Sequence, residues 1–348
     1  MAQIQVWYRV GSKDEWDGVR GMAHLFEHMM FRGTKKFNGD SKPFKIVDKL
    51  GGVINAYTTY DRTVYHEEVP ASELELVIDM EADRMANLIL DQNVLDTERE
   101  VVGEELRLGE NNWYRRLSAE RYKYLYPKEH PYQVDVIGNL NEITSFTTKQ
   151  CQEFYDKYYS PNNAFVVITG NVKAKDMFAL CEKYFGQIKK QLPLNQKKNE
   201  PDIFKHKIEL EELTVDFPVQ IYSYVVPSPA FGHKDYYAFN LFTELLFSNS
   251  NSLLNKRLVN TNLAYQVSGS QYDARMYNNY TAFDIVMQAS VGNAKVKKII
   301  SKEIDELVAE GFDENDIKNY LSYLETKVVF GSYSNQEING VLGFAEYY

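Results

Sequence analysis

The feature of this sequence that most constrains its fold is an internal repeat. Three segments of the second half follow the order and hydrophobic pattern of three segments of the first half. The matched pairs are "IQVWYRVGS" (4–12) with "VQIYSYVVP" (219–227), "GMAHLFEHMMF" (21–31) with "YAFNLFTELLF" (237–247), and "INAYTTYDRTVYHEEV" (54–69) with "LAYQVSGSQYDARMYNNYTAFDIVM" (263–287). This order predicts a tandem duplication with an α+β fold, in which two homologous α/β halves each form a mainly antiparallel sheet with helices packed on it.

Local patterns in the first copy agree with this architecture. Residues 3–10 alternate apolar and polar side chains, which is typical of a half-buried strand. Residues 53–69 predict two strands around a turn near Asp61. The stretch 72–90 has a Ser cap and apolar side chains on one helical face, and a second helix is expected to begin near Asp96.

The chain has 348 residues, enough for two domains that each bury a core. A polar, lysine-rich stretch with two prolines, "KKQLPLNQKKNEPDI", is the best candidate for a linker. We therefore predict a first half at 1–190 that carries the unusual polar residues described below, a linker at 191–204 and a second half at 205–348 that lacks them.

Composition excludes several classes of protein. The net charge of −10 and the pI of about 5.3 argue against a nucleic-acid partner. No apolar run approaches the roughly 20 residues that span a bilayer, and residues 1–10 do not form a signal peptide. The two cysteines cannot build a disulfide framework. Because the chain starts almost directly in a strand, we expect its N-terminus to be a trimmed one.

The stretch "AHLFEHMMF" (23–31) places His24 and His28 one helical turn apart in an otherwise hydrophobic helix. Residues four apart on a helix lie on one face, about 5–6 Å from each other, so both imidazoles can face one metal ion. Glu27 lies beside the pair, where it can hold a proton without binding the metal. This is the inverted H-x-x-E-H motif of metallopeptidases. The alternative is a core helix whose histidines hydrogen-bond within the core.

The second copy of the repeat bears on that alternative. In the alignment of 237–247 with 21–31, Asn240, Thr243 and Glu244 replace the two histidines and the glutamate. The hydrophobic frame is retained, so packing of this helix does not require the histidines.

A catalytic zinc ion needs a third protein ligand, with water in the fourth position. The segment "TEREVVGEELR" (97–107) offers Glu98, Glu100, Glu104 and Glu105. Glu98 and Glu105 are seven residues apart and fall almost on one helical face, whereas Glu104 points about 100° away from Glu105. One of the two carboxylates on the shared face can bind the metal and the other can orient a ligand. The alternative is a solvated acidic helix.

Taken in order, five motifs resemble the insulinase/pitrilysin (M16) family of zinc peptidases, and most of all its half-length bacterial members akin to the β-subunit of mitochondrial processing peptidase. They are "GMAHLFEHMMFRGT", "LGGVINAYTTYDRTVYHEEV", "EREVVGEEL", "HPYQVDVIGN" and "YYSPNNAFVVITGN". The resemblance implies that His24, His28 and Glu105 bind Zn²⁺, that Glu27 is the general base and that Glu98 is a supporting carboxylate. Glu104 is the second choice for the distal ligand.

The resemblance also implies a mode of substrate binding. An extended peptide adds to an edge strand that matches residues 54–60, where Asn55 and Ala56 would contact its backbone; the alternative is a plain core strand. In the second half the family often has an arginine seven residues before a tyrosine. Tyr265 matches, but Leu258 takes the arginine's position and Arg257 precedes it. Tyr265 can equally be a core residue.

These observations predict a zinc-dependent endopeptidase that hydrolyses peptides or unfolded segments in a chamber formed between halves or subunits. The family resemblance implies a homo- or heterodimer with an M16-type chain, a bacterial periplasmic or cytoplasmic location, and a C-terminus that ends before that of the relatives. One alternative is a non-catalytic partner or substrate-binding subunit. Another, a structural metal module, needs a fourth ligand, and His66 and His130 lie in segments typical of a surface strand and a turn.

Overall fold

The computed structural model describes residues 1–191, 203, 220–248, 250–269, 275–331 and 333–348. It divides into two compact units, Met1–Pro201 with Gly331–Tyr348, and Asp202–Phe330. The predicted linker at 191–204 lies almost entirely outside the described residues, so it stays a prediction.

The first unit contains a four-stranded antiparallel sheet in the order β2-β3-β1-β4. Its strands are β1 (Ala2–Tyr8), β2 (Val53–Thr58), β3 (Thr63–Val69) and β4 (Ala164–Gly170). Its first eight helices are α1 (Met22–Met29), α2 (Pro43–Lys49), α3 (Leu74–Asn87), α4 (Gln92–Glu110), α5 (Trp113–Leu125), α6 (Leu140–Ser145), α7 (Thr148–Tyr158) and α8 (Ala174–Phe185). Alternate residues of β1 pack into the main core together with the apolar side chains of α1 and α3.

The second unit has an antiparallel sheet in the order β5-β7-β6. Its strands are β5 (Ile221–Ser228), β6 (Ala264–Gly269) and β7 (Asn279–Met287). Its helices are α9 (Tyr236–Thr243), which continues as a π-helical turn (Glu244–Ser248), a second π-helical turn (Asn255–Val259), α10 (Asn293–Glu310) and α11 (Glu314–Gly331). In chain order these strands correspond to β1, β2 and β3, and they have the same neighbours as those three strands; the described second sheet has no counterpart of β4. The predicted α+β fold with a repeated, mainly antiparallel half is confirmed.

The last helix, α12 (Asn335–Tyr347), belongs to the first unit, where it packs on β1 and β4. It buries Asn339, Gly343 and Tyr347, which are spaced four residues apart on one face. The Asn339 amide donates a hydrogen bond of 3.1 Å to the backbone carbonyl of Gln3. No helix among the described residues is long and apolar enough to cross a membrane.

This packing differs from two sequence-based expectations. The second half was predicted to include everything from 205 to 348, yet 331–348 cluster with the first unit. Strand β1 was predicted to be half-buried, yet Gln3, Gln5 and Trp7 on its polar face are also buried. Both differences have one cause, because α12 covers the face of the sheet that the alternating pattern assigned to solvent.

Gly343 is the position where α12 comes closest to the sheet. A Cβ atom there would overlap the indole ring of Trp7, which is itself buried. We expect Gly343→Ala to lower the free energy of unfolding by about 1–3 kcal/mol through overpacking, measured by urea denaturation. Gly340→Ala on the same helix is the matched control, since a Cβ there meets nothing within 4 Å. It should raise stability by up to about 1 kcal/mol through helix propensity. Equal effects of the two substitutions would contradict the close approach.

Candidate functional site

Helix α1 carries the polar triplet, and its position is set at its first turn. Gly21 has a φ of 96°, a conformation that favours glycine. The Glu15 carboxylate accepts hydrogen bonds of 2.8 Å from the backbone amides of Gly21 and Ala23, which the helix itself cannot satisfy. The apolar face is buried in the core, whereas the triplet is only partly buried. The triplet therefore faces away from the main core.

Helix α4 carries the acidic residues. It begins at Gln92, earlier than the predicted start near Asp96, because the Asp91 side chain caps it by accepting a 2.9 Å hydrogen bond from the Val94 amide. Glu98 and Glu105 lie near α1, as the shared helical face predicted. Glu104 is exposed and forms an ion pair with Arg107 instead.

Three side chains converge on one point. Oε2 of Glu105 lies 3.7 Å from Nε2 of His24 and 3.6 Å from Nε2 of His28. One ligand atom from each of these residues lies within 4.8 Å of the other two, and no fourth His, Cys, Asp or Glu joins them in the described part of the chain. Ligand atoms around a tetrahedral zinc ion lie about 3.4 Å apart at bond lengths near 2.1 Å. The donors therefore fit a zinc ion with three protein ligands and an open position.

His24 does not behave as a hydrogen-bonded core histidine. Its Nδ1 atom is buried and has no hydrogen-bond partner among the described residues. Burial, followed by the nearby charges of His28 and Arg115, lowers the pKa of His24 to about 4. The imidazole is thus neutral near pH 7, which is the form that binds metals.

Glu98 contacts the cluster through His28. Its side chain is only 1% exposed, and its Oε2 lies 3.6 Å from Nδ1 of His28, on the opposite side of the imidazole from Glu105. Its other oxygen forms an ion pair with Nε of Arg32. Burial acts to raise the pKa of Glu98, but the contacts with His28 and Arg32 hold it below its ordinary value. An ionised carboxylate at Nδ1 holds the imidazole with Nε2 directed at the cluster.

The same carboxylates act on His28 itself. Burial acts to lower the pKa of His28, but Glu98, Glu27 and Glu105 together outweigh burial and raise it. Without a metal, these three carboxylates therefore favour the protonated, positively charged form of His28.

Glu27 lies beside the three converging residues and not among them. Its Oε2 accepts a 2.6 Å hydrogen bond from the Thr58 hydroxyl at the end of β2. Burial raises the pKa of Glu27, although hydrogen bonding by Thr58 and the charge of His28 oppose the rise. A partly buried carboxylate with a raised pKa suits a group that must take up a proton and release it again.

The predicted substrate-binding residues lie on strands at the edges of the two sheets that the described residues form. In the described sheet of the first unit, β2 has a neighbour on one side only, and Asn55 is exposed there, which rules out a plain core strand. The Asn55 side chain accepts a 2.9 Å hydrogen bond from the Ala56 amide. Tyr265 on β6 is 58% exposed, so it is not a core residue. Contact of these three residues with substrate stays a prediction.

Leu258, at the position of the expected family arginine, and Arg257 before it both have structural roles in the second unit. Leu258 is fully buried in the core of that unit. Arg257 pairs with the buried carboxylate of Glu303 at 2.7 Å. Leu258 therefore carries no charge, and the charge of Arg257 is already paired with Glu303.

Sequence reasoning missed three residues at the site, namely Thr58, Arg32 and Arg115. Arg32 follows His28 by four residues, a spacing that could have indicated it. Thr58 and Arg115 come from β2 and α5, and nothing in their local sequence connects them to α1. His66 and His130 remain outside the cluster, and His130 is buried.

Comparison with known proteins gives the family. Residues 1–132 match the family model "Insulinase (Peptidase family M16)", and residues 145–324 match "Peptidase M16 inactive domain". The zinc protease PqqE of Helicobacter pylori is 32% identical over 273 residues, which are 74% of this chain and 58% of that protein. The chain therefore spans less than two thirds of the length of this relative.

Solved structures show the same fold. The crystal structure of a protease from Helicobacter pylori matches with a TM-score of 0.85 and 26% identity, over 99% of this chain and 84% of that one. The periplasmic protease PqqL from Escherichia coli matches with a TM-score of 0.76 and 18% identity, over 99% of this chain and 40% of that one, which shows the fold alone. With family models covering both halves, the chain belongs to the M16 family of peptidases.

Proposed function

We propose that this protein is a zinc-dependent endopeptidase that hydrolyses peptides or unfolded protein segments. The observation that carries the proposal is the convergence of His24, His28 and Glu105 on one point, with Glu27 beside them and the fourth metal position open. An open position is the mark of a catalytic zinc site, whereas a structural site is closed by four protein ligands. The names of the relatives, which are zinc proteases, support the choice of metal.

Each residue has a separate role in the proposed reaction. When bound, zinc supplies a Lewis acid that polarises water and the peptide carbonyl. Glu27 accepts a proton from the attacking water and then gives it to the amine that leaves when the C–N bond breaks. His28 is held in orientation by Glu98, and Glu98 by Arg32.

Substrate binding is proposed along β2. An extended peptide can pair with the exposed side of this strand, at Asn55 and Ala56, as an added strand. The Ala56 amide donates its hydrogen bond to the Asn55 side chain, so that side chain must rotate away before the amide can bind a peptide carbonyl. Tyr265 is the proposed contact from the second unit. A closed chamber and a second M16-type chain that completes a dimer belong to the same proposal, as does a periplasmic location like that stated for PqqL of Escherichia coli.

A non-catalytic partner subunit is the second candidate. Two observations favour it, the match of 145–324 to a domain described as inactive and the absence of the expected arginine at Leu258. The first of these covers the half that lacks the histidines, so it is also what a catalytic chain with one active half would show. The cluster at His24, His28 and Glu105 supports the catalytic assignment.

The test is to measure bound zinc by elemental analysis and cleavage of a quenched fluorescent peptide on the same preparations. The native protein should hold about one zinc ion per chain and cleave the peptide. Glu105→Ala removes a ligand, so we expect zinc affinity to fall by more than about 100-fold and cleavage to be lost with it.

Glu104→Ala is the matched control, because Glu104 precedes the ligand by one position, is exposed and forms an ion pair with Arg107. It should keep both zinc and activity. Loss of zinc in Glu104→Ala but not in Glu105→Ala would reverse the assignment of the ligand. A native protein without zinc would refute the site, and zinc without cleavage would favour the partner subunit.

A further inference from the structure

The hydrogen bond between Thr58 and Glu27 joins the site to the strand proposed to bind the peptide. Thr58 is the last residue of β2, and its hydroxyl donates to Oε2 of Glu27 at 2.6 Å. Side chains of a strand alternate between faces, so Ala56 and Thr58 share the face that packs toward α1. With Oε2 occupied, Oε1 of Glu27 is the oxygen available to take a proton.

The turn that follows Thr58 is held tightly from within. The backbone amide of Thr59 donates to the Arg62 carbonyl at 2.8 Å, and the Thr59 hydroxyl accepts from the amides of Asp61 and Arg62 at 3.2 Å. On the neighbouring loop, the Lys13 amide donates to the Tyr60 carbonyl at 2.9 Å. Gly11 allows this approach, since a Cβ there would meet the turn's backbone at 2.5 Å.

Asp61 at the tip of the turn is only 1% exposed, because side chains from three other segments cover it and hydrogen-bond to it. Its carboxylate accepts from the hydroxyls of Tyr132 at 2.7 Å and Tyr348 at 2.9 Å. Its backbone carbonyl accepts from the Tyr347 hydroxyl at 2.6 Å and from Nζ of Lys13 at 3.2 Å. Ordinary turns at the tip of an edge hairpin are solvated, whereas this one is held by groups from three other segments.

Arg62 adds a second attachment between the turn and Tyr348, which directly follows α12. Its guanidinium lies over the ring of Trp7, with Cζ 5.4 Å from the ring centroid, and donates to the Tyr348 hydroxyl at 3.0 Å. Charge-assisted and cation–π contacts of this kind resist displacement of a buried guanidinium. These contacts therefore fix the end of β2, and with it the position of the Thr58 hydroxyl.

We propose that Thr58 is the positioning residue of the general base, and that the hairpin clasped at Asp61 holds Glu27 in its reactive orientation from the same strand that receives the peptide. The inference rests on the proposed function. A fixed donor on Oε2 restricts the carboxylate to one rotamer, and a base displaced by about 1 Å can lose about 100-fold in rate. Because Thr58 binds neither the metal nor the substrate backbone in this scheme, its loss affects the chemical step alone.

The test compares Thr58→Val, which keeps the shape and removes the hydroxyl, with Thr58→Ser, which keeps the hydroxyl. For Thr58→Val we expect kcat to fall about 10- to 100-fold, with KM changed less than about twofold, and with zinc content unchanged. Thr58→Ser should restore most of kcat. A kcat equal to that of the native protein in Thr58→Val, or equal losses in both variants, would overturn the inference.

Thr169→Val is the matched control for a general loss of stability. Thr169 lies on β4, outside the β2–β3 hairpin, and its hydroxyl donates to the Asn335 carbonyl at 3.2 Å. It should lower the melting temperature and leave kcat unchanged; a kcat loss equal to that of Thr58→Val would overturn the inference. If the native protein shows no cleavage that depends on Glu27, the proposed function fails and this inference fails with it. Cleavage that depends on Glu27 but not on Thr58 overturns this inference alone.

Discussion

Replacing Glu27 by glutamine is expected to lower kcat for peptide cleavage by about 10²- to 10⁴-fold while leaving zinc bound. Glutamine keeps the size of the side chain and an oxygen that can accept the hydrogen bond from Thr58. It cannot take a proton from water near neutral pH. The three atoms that could hold zinc belong to His24, His28 and Glu105, so the substitution removes none of them.

The measurement is zinc content by elemental analysis together with initial rates on a quenched fluorescent peptide. Glu104→Gln, an equivalent change of an exposed carboxylate on α4, should alter neither quantity. Equal cleavage by the native protein and Glu27→Gln would overturn the role of the base. Loss of zinc would place Glu27 among the ligands.

A pH profile of the native protein follows from the same assignment. The base works when it is ionised, and burial raises the pKa of Glu27 above its ordinary value. Cleavage should therefore decline on acidification at a higher pH than an ordinary glutamate, with a pKa of about 4.3, would produce.

The second large effect concerns a buried charge cluster in the core of the first unit. Arg84 on α3 donates a 3.0 Å hydrogen bond to Glu67 on β3 and forms an ion pair with Glu81, and all three side chains are fully buried. The guanidinium also lies over the ring of Tyr65, 5.0 Å from its centroid. Burial, and then the neighbouring Glu81, raise the pKa of Glu67, so this carboxyl tends to hold a proton and bring the cluster towards neutrality.

Arg84→Met is expected to lower the free energy of unfolding by about 3–5 kcal/mol, because it leaves the carboxyl groups of Glu67 and Glu81 buried without a cation. Chemical denaturation at pH 7 measures the loss. In the variant the pKa of a buried carboxyl is raised above its unfolded value. Its contribution to stability is therefore fully present below about pH 4.3 and is lost as the pH rises. The deficit should shrink on acidification.

The control is a triple variant in which Glu67 and Glu81 become leucine together with Arg84→Met. Replacing a whole buried ion cluster by apolar side chains of similar size is often neutral. The triple variant should therefore recover most of the stability. If it is as unstable as the single variant, lost packing and not uncompensated charge explains the effect.

Much of the candidate site was predictable because it depends on helical geometry alone. The spacing of His24 and His28 places both imidazoles on one face of α1, and seven residues bring Glu98 and Glu105 to one face of α4. The start of α4 was predicted too late, because the capping side chain of Asp91 was not recognised. The internal repeat predicted two similar halves, and the three strands of the second described sheet have the same order as β1, β3 and β2 in the first.

By itself the sequence determined which residues share a face and which segments repeat, since both are properties of local spacing along the chain. Only the tertiary structure decided which distant segment meets each face. It placed α12 on the polar side of β1, the Thr58 hydroxyl on Glu27, and Arg84 between two buried glutamates. The physical reason is that periodicity shows where a strand or helix is apolar, whereas the packing of all elements together selects the partner that covers it.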